Sequence, residues 1–515
     1  MSLFNSADRR FAEVVVRLAH CNPFLPDRIA CERAALGDEF DAHLSDWNVR
    51  YEDEHDHPNL QRLVARSEAT LEQARERLAR RPGQYTAEVP LYEDFLLAVL
   101  YHRHRFGFDE LIDTASRKSG NAAARLFLAL STDAERYLTP VEPRSAVIEQ
   151  LPHLFAGFFQ IRRAFGNIFR LIIGVSRPAV QLRAQVWESI FTHDMRRYRR
   201  TLFARMADYT TLVTGPSGTG KELVAQAIGL SRYIPFDAAA GRFSEDFAGS
   251  FYAVNLSALS PTLIESELFG HKRGSFTGAV DDRQGWLEVC PLLGTVFLDE
   301  IGELDGSIQV KLLRTLQSRE FSRLGDTQTR QFRGKIIAAT NRDLAAEMRA
   351  GNFREDFYYR LCSDMIEVPP LHARVQDDPG ELRHLLVHLA QRAIGTEGAE
   401  LADEVMRWIE EHLGLDYAWP GNVRELEQCL RNVLIRRSYV PPTAGPRAEA
   451  GGPRDELLAA VAAGQLTADE LMRRYCSLVF AETNSYEATA RRLKLDRRTV
   501  RAKVDATLVA RLRAT

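Results

Sequence analysis

The sequence predicts an α/β domain built on a parallel β-sheet, preceded by a mostly helical region and followed by an all-helical one. Three observations carry this prediction. Between residues 171 and 438, short apolar runs that end in glycine or an acidic residue alternate with amphipathic helical segments. Residues 1–170 show helical patterning without such runs. Residues 439–454 are rich in proline and glycine, which is typical of a linker, and residues 455–515 have room for three or four short helices.

Length and charge limit the classes of protein that this chain can be. Its 515 residues correspond to about three domains of roughly 150 residues each. The formal net charge of −3 excludes a whole-protein field that would attract nucleic acid or membrane, so any basic surface must be local. The segment 486–515 supplies one, with nine Arg or Lys and three acidic residues. The six cysteines form no CxxC pair and no apolar stretch resembles a signal or a membrane span, so we predict a cytoplasmic protein.

A glycine-rich turn between a predicted strand and a predicted helix indicates a P-loop. The β-branched run 211–214 leads into Gly215, Pro216, Ser217, Gly218, Thr219, Gly220 and Lys221. In such a loop backbone N–H groups converge on phosphate, the helix amino terminus adds positive potential, and the lysine reaches the outer phosphates. Glu222 occupies the position where a hydroxyl residue usually ligates Mg²⁺, so the metal ligand must come from elsewhere.

Adjacent carboxylates supply that ligand. Asp299 and Glu300 follow the apolar strand 295–298, an arrangement that fits a metal ligand followed by a base. We expect Asp299 to hold Mg²⁺, through water, and Glu300 to polarise the attacking water. A second strand, 335–339, ends in Thr340 and Asn341, whose neutral polar groups suit the orientation of water near a γ-phosphate. The sequence therefore predicts a Mg²⁺-dependent ATPase.

Two arginines, Arg354 and Arg360, lie six residues apart, so a helix would place them on different faces. They need not serve the same site, and one or both could reach a neighbouring subunit. An arginine inserted beside transferring phosphate contributes about 10³ to 10⁵ in rate. If a neighbouring subunit supplies it, ring formation becomes a requirement for catalysis.

The segment 267–279 carries the most specific signal in the chain. It contains Gly274, Ser275, Phe276, Thr277, Gly278 and Ala279, in which two glycines bracket an aromatic residue and a hydroxyl. With the P-loop, this segment makes residues 172–436 resemble the AAA+ domain of bacterial enhancer-binding proteins, the ATPases that activate sigma-54 RNA polymerase. The resemblance implies that the loop grips sigma-54 through Phe276 and Thr277, and Ser275 stands where the family usually has Ala.

The resemblance also implies roles for other residues and a helical lid from about residue 371. Asn255 corresponds to the strand asparagine that holds the catalytic Glu back until sigma-54 is engaged. Arg424, in the segment 419–426, matches the second sensor of the nucleotide, and Arg354 and Arg360 match the paired trans arginines. We expect Asn422 to cap the helix that carries Arg424, with Glu425 reciprocating. The segments 191–208 and 234–249 look like insertions relative to the usual domain.

The carboxyl-terminal segment resembles the Fis-like helix-turn-helix of the same family. Residues 487–493 form a predicted first helix, residues 494–495 a turn and residues 496–504 a recognition helix with an N-cap Asp. The side chains predicted to face double-stranded DNA are those of Arg497, Arg498, Thr499, Arg501 and Lys503. A basic helical tail that is merely solvated is the alternative.

Residues 1–170 lack the alternating strands and helices of a phosphoacceptor receiver domain, in which a strand ends in a lone Asp. The family analogy implies that this region regulates the ATPase in response to a signal. The leading hypothesis is thus a sigma-54-dependent transcriptional activator that binds upstream DNA, assembles a hexameric or heptameric ring and remodels the closed promoter complex with ATP. The alternatives are an AAA+ remodeller of another target and a DNA-binding repressor with a vestigial ATPase.

Overall fold

The computed structural model describes residues 2–42, 57–114, 121–245, 251–441, 457, 460–461 and 466–509. The chain forms two compact units, Met1–Ile435 and Arg436–Thr515. Residues 442–454 of the predicted linker lie outside the described residues.

The first third of the larger unit is helical, as predicted. Its α-helices are α1 (Ser6–Leu18), α2 (Pro26–Leu36), α3 (Pro58–Arg80), α4 (Val89–Thr114), α5 (Ala122–Leu138) and α6 (Leu151–Leu171). They bury a continuous apolar core that runs from Leu3 to Phe159 and is dominated by aromatic and aliphatic side chains. None of the helices in the described ranges combines the length and apolar character that a membrane span requires.

A five-stranded parallel sheet forms the centre of the larger unit and confirms the predicted α/β class. Its strands lie in the order β11 (Asp364–Glu367), β1 (Thr211–Thr214), β10 (Lys335–Thr340), β7 (Thr295–Asp299) and β4 (Phe251–Asn255). The three central strands β1, β10 and β7 are buried along nearly their whole length because both faces of the sheet are covered there, whereas the edge strand β11 alternates between buried and exposed residues. Their carboxyl ends meet at one edge, where ligands bind in open α/β sheets.

Helices and three short hairpins surround this sheet. The helices are α7 (Arg177–Phe191), α8 (Met195–Arg197), α9 (Lys221–Gly229), α10 (Pro261–Phe269), α11 (Trp286–Val289), α12 (Gly306–Ser318), α13 (Leu344–Arg349), α14 (Glu355–Leu361), α15 (Leu371–Asp377), α16 (Gly380–Ile394), α17 (Gly398–His412) and α18 (Asn422–Arg436). The hairpins pair β2 (Phe236–Asp237) with β3 (Arg242–Phe243), β5 (Gly270–His271) with β6 (Arg283–Gln284), and β8 (Glu320–Phe321) with β9 (Arg330–Gln331).

Alternate residues of the sheet enter different cores. On β7, Phe297 packs with α6, α7 and α9, whereas Val296 and Leu298 pack in the core on the opposite face. Helix α6 spans the predicted boundary at residue 170, since its first half lies in the core of the helical third and its second half in the core under the sheet. The helical third and the α/β part thus share α6 within one compact unit.

Both predicted insertions contact the helical third. In the segment 234–249, Phe236 packs against Phe127 and Phe155 with ring centroids 4.9 Å and 4.6 Å apart. In the segment 191–208, the backbone carbonyl of Arg199 accepts a hydrogen bond from His153 of α6 at 2.8 Å. The insertions therefore extend the contact between the helical third and the α/β part; residues 246–249 lie outside the described residues.

The smaller unit contains α19 (Ala468–Thr483), α20 (Tyr486–Leu493) and α21 (Arg497–Lys503). A capping box between Thr467 and Glu470 starts α19. Lys494 adopts a left-handed conformation, with a φ of +52°, that turns the chain from α20 into α21. The three helices pack around the buried side chains of Cys476, Val479, Thr489 and Val500.

Candidate functional site

The glycine-rich turn 215–220 joins β1 to α9, as the P-loop prediction requires. Gly215 and Gly218 have φ values of +140° and +79°, and a Cβ on either would meet the carbonyl oxygens of Val368 and Gly421. The Lys221 Nζ donates to the carbonyl oxygens of Gly215 and Pro216 at 3.0 and 3.3 Å. The turn is thus a cradle of backbone N–H groups at a helix amino terminus, a donor set that fits phosphate.

The two carboxylates lie at the carboxyl end of β7, beside the P-loop. Burial raises the pKa of Asp299, and the charge of Lys221 opposes that rise. Burial lowers the pKa of Lys221, against the charges of Glu300 and Asp299. Glu222 instead lies exposed on α9 and accepts a hydrogen bond from Gln226 at 3.2 Å. Asp299 thus lies beside Lys221 at the carboxyl end of β7, and its role as the Mg²⁺ ligand stays a prediction.

Glu300 leaves the strand in a left-handed conformation, with a φ of +57°. This conformation is unfavourable for a non-glycine residue, and such strain is typical of functional sites. It brings the Glu300 carboxylate to the next strand, where Oε2 accepts a hydrogen bond from the backbone N–H of Asn341 at 3.2 Å. The neighbouring Thr340 is fully buried, and its hydroxyl accepts from the Arg342 N–H at 3.1 Å. The structure thus brings Glu300 and Asn341 together, whereas the Thr340 hydroxyl serves the turn.

Asn255 ends β4 opposite Asp299 in the register of the sheet. Its side-chain oxygen accepts from the N–H and the hydroxyl of Ser257, at 3.0 and 2.8 Å. The carboxylate of Glu300 is held by Asn341 in this structure, so the restraint of Glu300 by Asn255 remains a prediction.

The helical lid closes directly on the P-loop. The exposed Arg424 side chain donates to the Ser217 hydroxyl at 3.2 Å, and its backbone N–H donates to the Gly218 carbonyl at 3.3 Å. Arg424 therefore lies at the nucleotide cradle, as the resemblance implies for a sensor.

The predicted cap of α18 by Asn422 is wrong. Asn422 has a φ of +53°, its side-chain oxygen accepts from the N–H of Leu371 at 2.8 Å, and its amide donates to the Ser217 carbonyl at 2.9 Å. Its side chain thus joins the lid to the P-loop, and a local pattern cannot reveal partners so distant in the chain. The predicted hydrogen bond of Glu425 to the start of the helix is present in another form, because its carboxylate accepts from the Gly421 N–H at 2.7 Å.

We expect Asn422→Ala to loosen the lid from the P-loop. The substitution removes two hydrogen bonds from a residue that is 3% exposed and leaves the Leu371 N–H without its acceptor. A buried donor left unsatisfied costs about 1–3 kcal/mol. Nucleotide affinity, measured with a fluorescent ATP analogue, should fall roughly tenfold or more. Glu427→Ala, on the exposed face of the same helix, is the control, and equal affinities for both variants would contradict the role of Asn422.

The two arginines differ in their surroundings. Arg354 precedes α14 and forms a two-fold hydrogen-bonded pair with Asp356, at 3.0 and 2.7 Å, while its backbone N–H donates to the buried Gln309. Arg360 lies exposed in the last turn of α14. Both residues are exposed, and a role for either in a neighbouring subunit stays a prediction.

The loop with Phe276 and Thr277 is the tip of the β5–β6 hairpin. Gly274 and Gly278 have φ values of +79° and +104°, with open space around both. Thr277 is exposed, whereas Phe276 is half-buried and packs edge-on against His271 with centroids 5.0 Å apart. The Gly274 N–H donates to the Ala279 carbonyl at 2.9 Å, which closes the base of the loop. The Ser275 hydroxyl is buried with no hydrogen-bond partner among the described residues.

The predicted recognition helix is α21, with Asp496 as its N-cap, since that carboxylate accepts from the Arg498 N–H at 2.7 Å. Two of the predicted DNA contacts are paired within the unit: Arg497 with Glu487 at 3.1 Å, and Lys503 with Asp469. The other three, Arg498, Thr499 and Arg501, are exposed on the helix.

Comparisons with known proteins agree with this geometry. Residues 191–367 match the family described as the Sigma-54 interaction domain. The Nif-specific regulatory protein of Klebsiella pneumoniae is 47% identical over 228 residues, which is 44% of this chain and 40% of that protein. The transcriptional regulatory protein ZraR of Escherichia coli is 41% identical over 253 residues, which is 48% of this chain and 52% of that protein. The regulatory protein LuxO of Vibrio cholerae is 40% identical over 238 residues, which is 46% of this chain and 48% of that protein.

The match thus spans about half the length of these relatives or less. Among solved structures, NtrX from Brucella abortus in complex with ATP aligns with a TM-score of 0.41 at 22% identity, over 72% of this chain and 79% of that one. The resemblance inferred from the loop 274–279 is confirmed by the family match. Residues 191–367 of this chain therefore match the Sigma-54 interaction domain, and the chain is similar over about half its length or less to regulatory proteins that include ZraR and LuxO.

Proposed function

We propose that this protein is a sigma-54-dependent transcriptional activator that binds ATP and Mg²⁺, hydrolyses ATP and uses the energy to remodel the closed complex of sigma-54 RNA polymerase. The observation that carries the proposal is that adjacent elements connect the carboxylates of Asp299 and Glu300 to the tip of the β5–β6 hairpin. Asn255 is the register partner of Asp299, and the chain runs from it through α10 into β5. A change of nucleotide state at Asp299 and Glu300 thus has a short, packed route to Phe276 and Thr277.

Each group in the site has a part in hydrolysis. The loop N–H groups and Lys221 bind the phosphates, and Asp299 would hold the Mg²⁺, which neutralises charge on them when bound. Glu300 accepts the proton of the attacking water, and its bond to the Asn341 N–H fixes the carboxylate beside the cradle. Arg424, on the lid, reports whether the cradle is filled. This division of roles supports an ATPase rather than a nucleotide-binding relic.

Promoter melting in a purified system tests the proposal. The full chain is mixed with sigma-54 RNA polymerase, promoter DNA and ATP, and unpaired thymines are detected by permanganate. We expect melting with ATP and none with a non-hydrolysable analogue. ATP hydrolysis without melting would favour an AAA+ remodeller of another target.

Assembly into a ring, a hexamer or heptamer, would complete the site with an arginine from the neighbouring subunit. The Arg354 guanidinium pairs with Asp356, and exposed ion pairs of this kind are weak enough to exchange partners. We expect Arg354→Ala to bind nucleotide almost as the parent does but to hydrolyse ATP at least tenfold more slowly in the assembled state. Turnover is measured against protein concentration. Asp356→Ala is the control that breaks the same pair and keeps the arginine, and loss of turnover in that variant alone would contradict the trans role of Arg354.

DNA binding is proposed for α21, chiefly through Arg498 and Arg501, which form no ion pair with the described residues of the unit. We expect Arg498→Ala and Arg501→Ala each to weaken binding to double-stranded DNA. Each should also reduce the slope of log binding constant against log salt concentration by about one, because one fewer counterion is released. Lys503→Ala is the matched control, because Asp469 already neutralises that lysine. Binding is measured by fluorescence anisotropy across a salt series. Equal losses for Lys503 and Arg501 would contradict this division, and no loss for any variant would favour a merely solvated tail.

A further inference from the structure

An apolar cavity of about 230 Å³ lies between the helical third and the α/β part of the larger unit. Its walls come from α1, α2, α4, α6 and α7, from the start of α3, from the insertion that follows α7 and from Tyr233. Aromatic side chains dominate the lining, among them Phe158, Phe165, Trp187, Phe191 and Phe203. Protein interiors seldom leave such a volume open, and an apolar cavity of about 150 Å³ already binds a benzene-sized molecule. The cavity therefore has room for a molecule of one or two rings.

Two polar groups at the cavity wall have no hydrogen-bond partner among the described residues. The indole Nε1–H of Trp187 is buried, in a side chain that is 4% exposed. Nδ1 of His102 is also buried, in a residue of intermediate exposure. Burial lowers the pKa of His102 to about 3, which keeps the ring neutral. Buried donors are almost always satisfied in folded proteins, so the Trp187 N–H calls for an acceptor that the described residues of the wall do not provide.

Charged residues at the wall are paired. Arg199 donates to Asp94 at 3.2 Å, and Arg28 pairs with Glu32 at 2.5 Å. A charged ligand would have to break one of these pairs or bring its charge into an apolar space without compensation. The chemistry of the cavity thus suits a neutral molecule.

A buried hydrogen-bond path leads from the cavity to the P-loop helix. Tyr198, on the wall, donates to Gln160 of α6 at 2.8 Å, and Gln160 donates to the carbonyl of Ser231 at 2.9 Å. Ser231 lies two residues beyond the end of α9, the helix that begins with Lys221. His153, also on the wall, contacts the Tyr233 hydroxyl at 2.7 Å. The wall and the α9 terminus are therefore mechanically connected.

We propose that this cavity is a binding site for a neutral aromatic molecule of one or two rings that carries a hydrogen-bond acceptor for the Trp187 N–H. Binding shifts the ATPase through the path Tyr198–Gln160–Ser231. The binding step stands on the cavity alone, and only its effect on turnover rests on the proposed function.

Two probes of nearly equal shape test the binding step on the full chain by isothermal titration calorimetry. One is 2-acetylnaphthalene, whose carbonyl can accept the Trp187 N–H, and the other is 2-ethylnaphthalene, which has no acceptor. We expect the ketone to bind about tenfold more tightly than the hydrocarbon. Trp187→Phe keeps the aromatic wall and removes the donor, so it should make the two affinities equal. No binding of either probe, or a preference that survives Trp187→Phe, would overturn the proposal.

Cavity filling locates the bound probe. Gly157 lines the cavity, and a Cβ at this position of α6 meets no atom within 4 Å. Gly157→Leu should therefore abolish binding of both probes without lowering the melting temperature. Gly166→Leu is the matched control, because Gly166 has equally open Cβ space on the same helix but does not line the cavity. Undiminished binding to a folded Gly157→Leu variant would place the probes elsewhere and overturn the site.

The effect on turnover is measured separately. Saturating 2-acetylnaphthalene should change the ATP hydrolysis rate of the full chain at least threefold, and Gln160→Leu should keep probe binding while losing that change. Binding without any change in turnover would overturn the coupling and leave the site intact. If the chain hydrolysed no ATP at all, the proposed function would fail while the calorimetry still decided the site.

Discussion

Replacing Glu300 by glutamine should lower the rate of ATP hydrolysis about 10²- to 10⁴-fold and leave nucleotide affinity nearly unchanged. The reason is that general-base catalysis contributes this range, and the amide keeps the shape of the carboxylate while losing its basicity. The amide oxygen can still accept from the Asn341 N–H, so the position of the side chain is retained. Steady-state phosphate release and binding of a fluorescent ATP analogue measure the two quantities.

Glu303→Gln is the matched control for this change. Glu303 lies three residues further along the chain, and its exposed carboxylate pairs with Arg342 at 2.5 Å. We expect its turnover to remain within about twofold of the parent, because an exposed ion pair contributes little. Wild-type turnover in Glu300→Gln, or an equal loss in both variants, would contradict the assignment of Glu300 as the base.

Thr277→Ala should abolish promoter melting by sigma-54 RNA polymerase while ATP turnover continues. Thr277 is exposed at the tip of the β5–β6 hairpin, and the hydrogen bonds given above for Lys221, Ser217 and Gly218 go to other residues. The glycines on either side of the tip have no neighbours that a Cβ would meet, so the tip can move without disturbing the sheet. The variant therefore separates the ATPase from the work done on the polymerase. Permanganate detection of melted promoter and phosphate release measure both.

Ser275→Ala controls for general damage to the same loop. Its hydroxyl is buried without a partner among the described residues, so the substitution removes an unsatisfied group and restores the residue that the family usually has. We expect melting activity at or above that of the parent. If Thr277→Ala melted the promoter as well as Ser275→Ala does, the tip would not be the contact with sigma-54.

Local patterns predicted those parts of the molecule that short segments determine. The strands 211–214 and 295–299 alternate side chains between two buried faces, so apolar runs that end in glycine or Asp already indicate a parallel sheet. Gly215, Gly218 and Lys221 lie at the cradle because strand, turn and helix are consecutive. The N-cap of α21 by Asp496 likewise depends on neighbours in sequence.

The rest depends on contacts between distant segments. Asn422 holds Ser217 and Leu371, which lie 205 and 51 residues away, and no local rule separates this role from a helix cap. Glu300 meets Asn341 because β7 and β10 are neighbours in the sheet, an order that the chain sequence does not reveal. The cavity beside Trp187 is formed by segments from α1 to the insertion after α7. It arises only when the helical third packs on the α/β part.

The most direct test of the account is the association of this protein with sigma-54 in defined nucleotide states. The purified chain is incubated with sigma-54 and with no nucleotide, with ADP, or with ADP and aluminium fluoride, and complexes are resolved by size-exclusion chromatography. The account predicts a stable complex with the aluminium fluoride state, weak or no complex with ADP, and loss of the complex in Thr277→Ala. Hydrolysis of ATP by a protein that binds sigma-54 in none of these states would contradict it.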